Sequence, residues 1–159
     1  LALPAPPAKT PPSAPPAKPA PSSLPAPDGS VVAALTVNAA PMTALYERLG
    51  GAAGIKSIAR ELLSAMLSDA RTARFFAGVD LDRVERNVDA YLCRATSGPC
   101  QYNGKPIAEA HARLQLGGDE LTAFVEDLEK ALRKLNVPAP EQKDLVTVLA
   151  ASRRDVLGK

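Results

Sequence analysis

Residues 102–114 read YNGKPIAEAHARL and contain His111, the only histidine among the 159 residues of the chain. The Asn-Gly-Lys-Pro run is typical of a loop, and the residues after it predict a short helix that Gly117 and Gly118 would end. A single histidine on a helix is usually an ordinary surface or core residue. It is also the side chain that most often binds a metal, so the rest of the sequence must separate these two roles.

Apolar residues on both sides of this stretch recur at steps of three and four, the spacing of an amphipathic helix. The clearest series are Ile55, Ile58, Leu62, Leu63, Met66 and Leu67 before it, and Leu121, Phe124, Val125, Leu128, Leu132 and Leu135 after it. Further helices are predicted from Leu81 and from Pro138. Because no segment sustains the alternation of period two that a strand requires, the predicted fold class is all-α.

The first 41 residues differ in composition from the rest of the chain. They hold twelve of the sixteen prolines and no aromatic residue, so they bury too little apolar surface to offset the entropy cost of ordering. Proline-rich sequence favours an extended backbone that suits a tether or a docking segment. We therefore predict a proline-rich segment, residues 1–41, and a globular domain, residues 42–159.

Charge and hydropathy exclude two further roles. The 19 basic and 17 acidic residues are scattered, so the chain lacks the dense basic face that nucleic-acid binding needs. The sequence has no run of eighteen apolar residues that would span a membrane. The chain begins at Leu1 rather than at a methionine, as it would after removal of a signal peptide or at a lipid anchor. We expect a periplasmic or membrane-associated exterior location, with the cytoplasm as the alternative.

The two cysteines, Cys93 and Cys100, fit neither a redox CxxC motif nor a zinc site, which would need more ligands. A disulfide that closes this short loop is compatible with an oxidising compartment. The alternative is a buried thiol at Cys93 and an incidental loop thiol at Cys100. The sequence leaves both open.

Four signatures in one register resemble a group 1 truncated haemoglobin over about residues 42–157. They are LYERLGG at 45–51, FFAGVDLDR at 75–83, YLCRATSGP at 91–99 and YNGKPIAEAHARL at 102–114. The resemblance implies a shortened globin fold, a two-over-two sandwich in which two helices pack crosswise on two others around haem. The proline-rich segment lies outside the resemblance.

The resemblance also implies roles for single residues. His111 stands where the family has the proximal ligand of haem iron, and Phe76 where it has a phenylalanine stacked on the haem face. Arg113 becomes a candidate partner for a haem propionate, as do Arg83 and Arg86, although a solvated surface role fits each equally well. Because the sequence has no CxxCH attachment motif, the expected cofactor is haem b, held without a covalent bond.

The gas side of the pocket departs from the family pattern. Family members usually place a tyrosine on the second helix and often a hydrogen-bonding residue on the helix across the pocket, whereas the matching positions here are Leu63, Val84 and Val88. A charge-assisted donor stabilises bound oxygen by about 1–3 kcal/mol, and these side chains supply none. We expect carbon monoxide or nitric oxide to be held well and oxygen to be released fast, with Tyr91 at the haem edge or in the core.

Three functions remain open. The first is a non-enzymatic haem globin that binds O2, CO or NO reversibly and is tethered by residues 1–41 to a membrane or a larger assembly. The second is a nitric oxide dioxygenase, against which the missing donors argue. The third is a globin-fold interaction subunit of a protein complex with haem lost or incidental, which the proline-rich segment favours because such segments bind along partner grooves at low entropy cost. The residues favour the first, and no catalytic residue is assigned.

Overall fold

The computed structural model describes residues 43–158, and every regular element in that range is helical. The helices are α1 (Leu45–Arg48), α2 (Gly51–Ser68), α3 (Ala70–Ala73), α4 (Leu81–Ala95), α5 (Ile107–His111), α6 (Gly118–Lys134), α7 (Ala139–Ala150) and α8 (Arg153–Leu157), with a 3-10 turn at Arg74–Phe76. The all-α prediction is confirmed. The predicted proline-rich tether, residues 1–41, lies outside the described residues. In the described range no helix combines the length and the apolar character that crossing a bilayer requires.

Three glycines form the corner between α1 and α2. Gly50 and Gly51 adopt φ of 94° and 63°, which a residue with a Cβ rarely tolerates. Gly54 packs so closely on the preceding corner that a Cβ there would lie 1.8 Å from the carbonyl oxygen of Leu49. The short first helix therefore ends where the glycine pair predicts, and the chain turns directly into the long α2.

Two helix pairs enclose the core. α2 packs against α4, α6 packs against α7, and α2 also lies against α6, which is the two-over-two arrangement that the resemblance implies. Residues from all four helices are almost fully buried, and they include Ile55, Ile58, Leu62, Leu92, Leu128, Leu132 and Leu145. Burying one such side chain contributes about 1.5–3 kcal/mol to stability. The apolar stripes seen in the sequence are thus the faces that hold the helices together.

An exposed ion-pair cluster holds α1 against α7. The Arg48 guanidinium lies 2.8 Å from a carboxylate oxygen of Glu141 and 2.8 Å from one of Asp144. These bonds raise the pKa of Arg48 above its ordinary value. The cluster links the first helix to α7, while Leu49 lies in the core and Leu45 and Tyr46 pack against it.

Two helix boundaries differ from the prediction. α5 ends at His111 and is followed by a turn at residues 112–114. The φ of 50° at Gln115 is incompatible with a right-handed helix, so the helix does not continue to the glycine pair. Gly117 and Gly118 begin α6 rather than ending α5. The N–H of Gly117 donates to Glu120 Oε2 at 2.9 Å. The Glu120 carboxylate thus accepts from a backbone N–H at the start of α6 that has no carbonyl partner within the helix.

The single helix predicted after Pro138 is divided into α7 and α8. At Ala151 and Ser152 the N–H groups bond to the carbonyl oxygens of Val148 and Leu149, three residues back, so the α-helical ladder is interrupted for one turn. α8 then packs against α5. The interruption brings the C-terminal turn of the chain next to His111.

Candidate functional site

A cavity of about 540 Å³ lies inside the helical domain, and its wall is mostly apolar. This volume is in the range of sites that hold small molecules or cofactors, about 300–1,000 Å³. Six of the seven residues predicted for the site line it, namely Leu63, Phe76, Val84, Val88, Tyr91 and His111. The structure therefore brings together side chains from α2, α4, α5 and the 3-10 turn, although their binding roles remain predictions.

His111 is the last residue of α5 and is half-buried in the cavity wall. Its Nδ1 atom lies 2.8 Å from the carbonyl oxygen of Ile107, one helical turn earlier. Because a carbonyl oxygen only accepts hydrogen bonds, this contact places the imidazole proton on Nδ1 and leaves the lone pair on Nε2. A backbone carbonyl on the second ring nitrogen is the usual way in which a metal-ligating histidine is oriented.

The side chains around the cavity fit haem better than a metal ion bound by protein ligands alone. Within residues 43–158 there is no group of three or more histidine, cysteine, aspartate and glutamate side chains that could hold a metal ion. Haem iron receives most of its ligands from the porphyrin and needs only one imidazole from the protein. A single histidine on the wall of a large apolar cavity meets that requirement.

α2 and α4 form one side of the cavity, and we call four of its residues, Leu63, Val84, Asn87 and Val88, the distal wall. Leu63 is buried, with 7% of its surface exposed, and the three residues from α4 are half-buried. The sequence register identified the three apolar members but missed Asn87, which also lines the cavity. Helical spacing is the signal that could have found it, because residues 84, 87, 88 and 91 share one face of a helix. The predicted wholly apolar wall is thus corrected to an apolar wall with one carboxamide.

The 3-10 turn contributes both Phe75 and Phe76 to the cavity wall. Arg74 lies over the Phe75 ring, with the guanidinium carbon 4.8 Å from the ring centroid, and forms an ion pair with Glu120 on α6. The backbone N–H of Gly117 is the main reason that the pKa of Glu120 lies below its ordinary value. These contacts tie the turn to the start of α6 and so fix the position of Phe76.

Tyr91 and Tyr102 form the wall between α4 and the loop that leads to α5. Their ring centroids are 5.7 Å apart in an edge-on arrangement. The Tyr91 hydroxyl forms a hydrogen bond with Ser152 Oγ, and the Tyr102 hydroxyl donates to the carbonyl oxygen of Lys105 at 2.8 Å. Burial, and secondarily the nearby Tyr91, raises the pKa of Tyr102. Both hydroxyls are therefore hydrogen-bonded to protein groups, and the position of Tyr91 at a haem edge stays a prediction.

A disulfide joins Cys93 and Cys100 and closes the start of this loop. Cys93 is buried at the end of α4, whereas Cys100 is exposed. The backbone at Gly98 packs closely against Cys93 and Tyr46. A Cβ at that position would lie 2.6 Å from Cys93 Sγ and 2.5 Å from the Tyr46 ring, so only glycine fits there. Of the two alternatives that the sequence left open, the structure contains the disulfide.

Arg113, a candidate partner for a haem propionate, is exposed in the turn after α5 and does not line the cavity. Arg83 and Arg86 are likewise exposed and lie outside the wall. In the described part of the chain, Arg153 on α8 is the arginine that lines it. The position of Arg113 thus adds no support to its predicted role.

Comparisons with known proteins agree with this geometry. The profile of the bacterial-like globin family matches residues 44–157. The chain is 33% identical over 128 residues to the group 1 truncated haemoglobin GlbN of Synechocystis, which covers 74% of this chain and 100% of that relative. The chain belongs to the group 1 truncated haemoglobins. This membership confirms the resemblance seen in the sequence and implies haem as the cofactor.

Crystal structures of two relatives have the same fold as this truncated haemoglobin. The Fe(III) form of truncated haemoglobin from Tetrahymena pyriformis is similar with a TM-score of 0.70 at 30% identity, over 73% of this chain and 99% of that one. The 2/2 haemoglobin of Synechococcus, in the cyanomet state and with covalently attached haem, is similar with a TM-score of 0.68 at 28% identity, over 73% and 99%. The truncated globin fold is therefore established, and the mode of haem attachment has to be argued from the residues of this chain.

Proposed function

We propose that this truncated haemoglobin binds haem b in the cavity, with His111 as the proximal ligand, and reversibly holds O2, CO or NO at the distal wall. The observation that carries the proposal is the His111 imidazole. Its Nδ1 is bonded to the Ile107 carbonyl, so its Nε2 lone pair is available at the wall of a large apolar cavity. No residue is assigned to catalysis.

Haem, when bound, supplies an iron atom that takes up a diatomic gas. The chain's own residues orient the imidazole, stack on the cofactor and exclude water. Ile107 holds the His111 ring through its carbonyl, and Phe76 offers an aromatic face whose position is fixed by the contacts of the neighbouring Arg74. The apolar distal wall keeps water from competing for the gas site.

Non-covalent haem is supported by the absence of a free nucleophile suited to attachment. A thioether bond to haem needs a cysteine thiol, typically in a CxxCH motif, and both cysteines of this chain are joined in the disulfide. The only histidine is the proposed ligand itself. This truncated haemoglobin should therefore differ from the Synechococcus relative with its covalently attached haem.

Substitution of His111 tests the proposal. The purified protein should contain one haem per chain that acidified organic solvent extracts completely, and its ferrous spectrum should be five-coordinate. His111→Ala should largely abolish that spectrum, whereas Glu109→Ala, an exposed change on the same helix, should leave it intact. An unchanged Soret band and gas affinity in His111→Ala would show that His111 is not the ligand. A haem-free protein would favour an interaction subunit instead.

We also propose that the protein works in the periplasm or at the outer face of a membrane, with residues 1–41 as its tether. The Cys93–Cys100 disulfide supports this location, because disulfides persist in oxidising compartments and are rare in the cytosol. Thiol alkylation of intact source cells, followed by mass spectrometry of the two cysteine peptides, tests it. Alkylation of both cysteines without prior reduction would contradict an oxidising location.

A further inference from the structure

Asn87 is the polar member of an otherwise hydrocarbon distal wall. It lies on α4 one turn after Val84 and directly before Val88, and it is half-buried in the wall of the cavity that His111 also lines. α4 packs against α2, whereas α5, which carries His111, packs against α8. Asn87 and His111 thus reach the cavity from different helix pairs.

The Asn87 carboxamide has unused hydrogen-bonding capacity. Its side chain has no hydrogen-bond partner within residues 43–158, although an amide carries two N–H donors and an acceptor oxygen. Three other polar groups of the cavity wall already form hydrogen bonds. The Tyr91 hydroxyl is paired with Ser152, the Tyr102 hydroxyl with the Lys105 carbonyl, and His111 Nδ1 with the Ile107 carbonyl. On the distal wall, Asn87 is therefore the donor that remains available to a ligand.

We propose that Asn87 donates a hydrogen bond to the gas held opposite His111 and sets the preference between oxygen and carbon monoxide. The inference rests on the proposed haem-binding function. Bound oxygen carries more negative charge than bound carbon monoxide and gains more from an N–H donor. Leu63, Val84 and Val88 add no competing polar group, and their hydrocarbon surroundings strengthen the single hydrogen bond. Asn87 therefore slows oxygen release selectively, relative to a wall made only of aliphatic side chains.

The test compares Asn87→Leu and Asn87→Ala with Asn103→Leu, the same change at an exposed loop asparagine outside the cavity wall. Both Asn87 variants should release oxygen about three- to tenfold faster, the range expected for one neutral donor. Carbon monoxide release should change less than about twofold. The C–O stretching frequency of the carbon monoxide form should rise in both Asn87 variants and stay constant in Asn103→Leu. The alanine variant retains a strong helix former, so folding is preserved even if leucine packs poorly.

Several results would overturn the inference. Equal changes in oxygen and carbon monoxide release would show that Asn87 acts only through its size. Unchanged gas kinetics together with faster haem transfer to a haem-free globin would place the carboxamide against the haem periphery instead. A wild-type protein with no Soret band would remove the proposed function itself, and that result is distinct from a haem-loaded protein whose gas kinetics do not respond to Asn87.

Discussion

Single residues decide how polar the distal wall is. Leu63 is buried in the distal wall and carries no side-chain hydrogen-bond donor. The half-buried Asn87 is the one polar side chain on that wall. We therefore expect gas preference in this truncated haemoglobin to depend on these two side chains more than on the shape of the fold.

Introducing a phenol at position 63 should reverse the expected fast release of oxygen. Leu63→Tyr should slow oxygen dissociation about five- to thirtyfold, since one additional hydrogen bond contributes about 1–2 kcal/mol. Carbon monoxide dissociation, measured in the same stopped-flow experiment, should change far less. Leu63→Phe is the matched control, because it adds the ring without the hydroxyl. If both gases respond equally to Leu63→Tyr, residue 63 does not face the gas.

Asp127 is a buried carboxyl that does not line the cavity. Only 4% of the residue is exposed, and its Oδ2 lies 3.3 Å from Thr72 Oγ1. Thr72 Oγ1 also lies 2.6 Å from the Met66 carbonyl oxygen, so its single hydroxyl proton is shared among acceptors. Burial, and secondarily the nearby Asp69, raises the pKa of Asp127, while Thr72, Lys130 and Arg71 oppose the shift.

This raised pKa predicts how stability depends on pH. A carboxyl whose pKa is higher in the folded than in the unfolded chain favours folding most when it is protonated, and that contribution is lost as pH rises through the folded pKa. Asp127→Asn should therefore raise the free energy of unfolding at pH 7 and leave it nearly unchanged at about pH 3. Glu129→Gln, at a 45% exposed carboxylate on the same helix, is the control for denaturant titrations at both pH values. A loss of stability in Asp127→Asn at pH 7 would contradict this prediction.

At the scale of elements, the loop between α4 and α5 depends on its disulfide. The loop contains Tyr102, which lines the cavity, and it leads directly into α5, the helix that ends at His111. The loop itself contains no helix or strand. The bond between Cys93 and Cys100 spans seven positions and fixes the loop to the end of α4. The geometry around His111 is therefore supported from the loop as well as from α8.

Removing this cross-link should lower stability. Closing a loop of this length stabilises a protein by about 2–3 kcal/mol in the chain-entropy estimate. The double variant Cys93→Ala, Cys100→Ala should lose about that much free energy of unfolding, measured by urea titration. A dithiol reductant should bring the wild type to the level of the variant and have no effect on the variant. Wild-type stability that is insensitive to the reductant would mean that the cysteines are not joined in solution.

At the scale of the whole molecule, the composition of the chain changes sharply near residue 42. The family match covers residues 44–157, so the proline-rich residues lie outside the matched range. We predict that the helical domain binds the cofactor and that residues 1–41 determine where the protein is located or which partner it binds.

Deletion of residues 1–40 tests that division. The haem spectrum and gas kinetics of the truncated protein should equal those of the full chain, because within residues 43–158 the cavity is lined by residues at or beyond Leu62. Recovery with its native partner or membrane fraction, measured by co-purification from the source cells, should fall. Loss of haem on deletion would contradict the two-part division, and unchanged co-purification would contradict the tether.

Much of this protein could be predicted from the sequence because the relevant signals are local. The apolar period of α2 and α6, the Gly50–Gly51 corner and the register around His111 each lie within a few turns of helix, where side-chain spacing determines which face is buried. The same register identified Leu63, Val84 and Val88. These positions lie on the cavity wall as expected.

Only the tertiary structure decided the features that depend on residues far apart in the chain. The helical period shows which face of a helix is buried, but not which residues of that face line a cavity. The sequence therefore missed Asn87, which lines the cavity, and proposed Arg113, which lies outside its wall. The Tyr91–Ser152 hydrogen bond joins positions 61 residues apart, and α8 reaches α5 only because the last helix is interrupted at Ser152. Such contacts follow from how whole helices pack, and packing depends on the complementary shapes of surfaces that the local sequence does not specify.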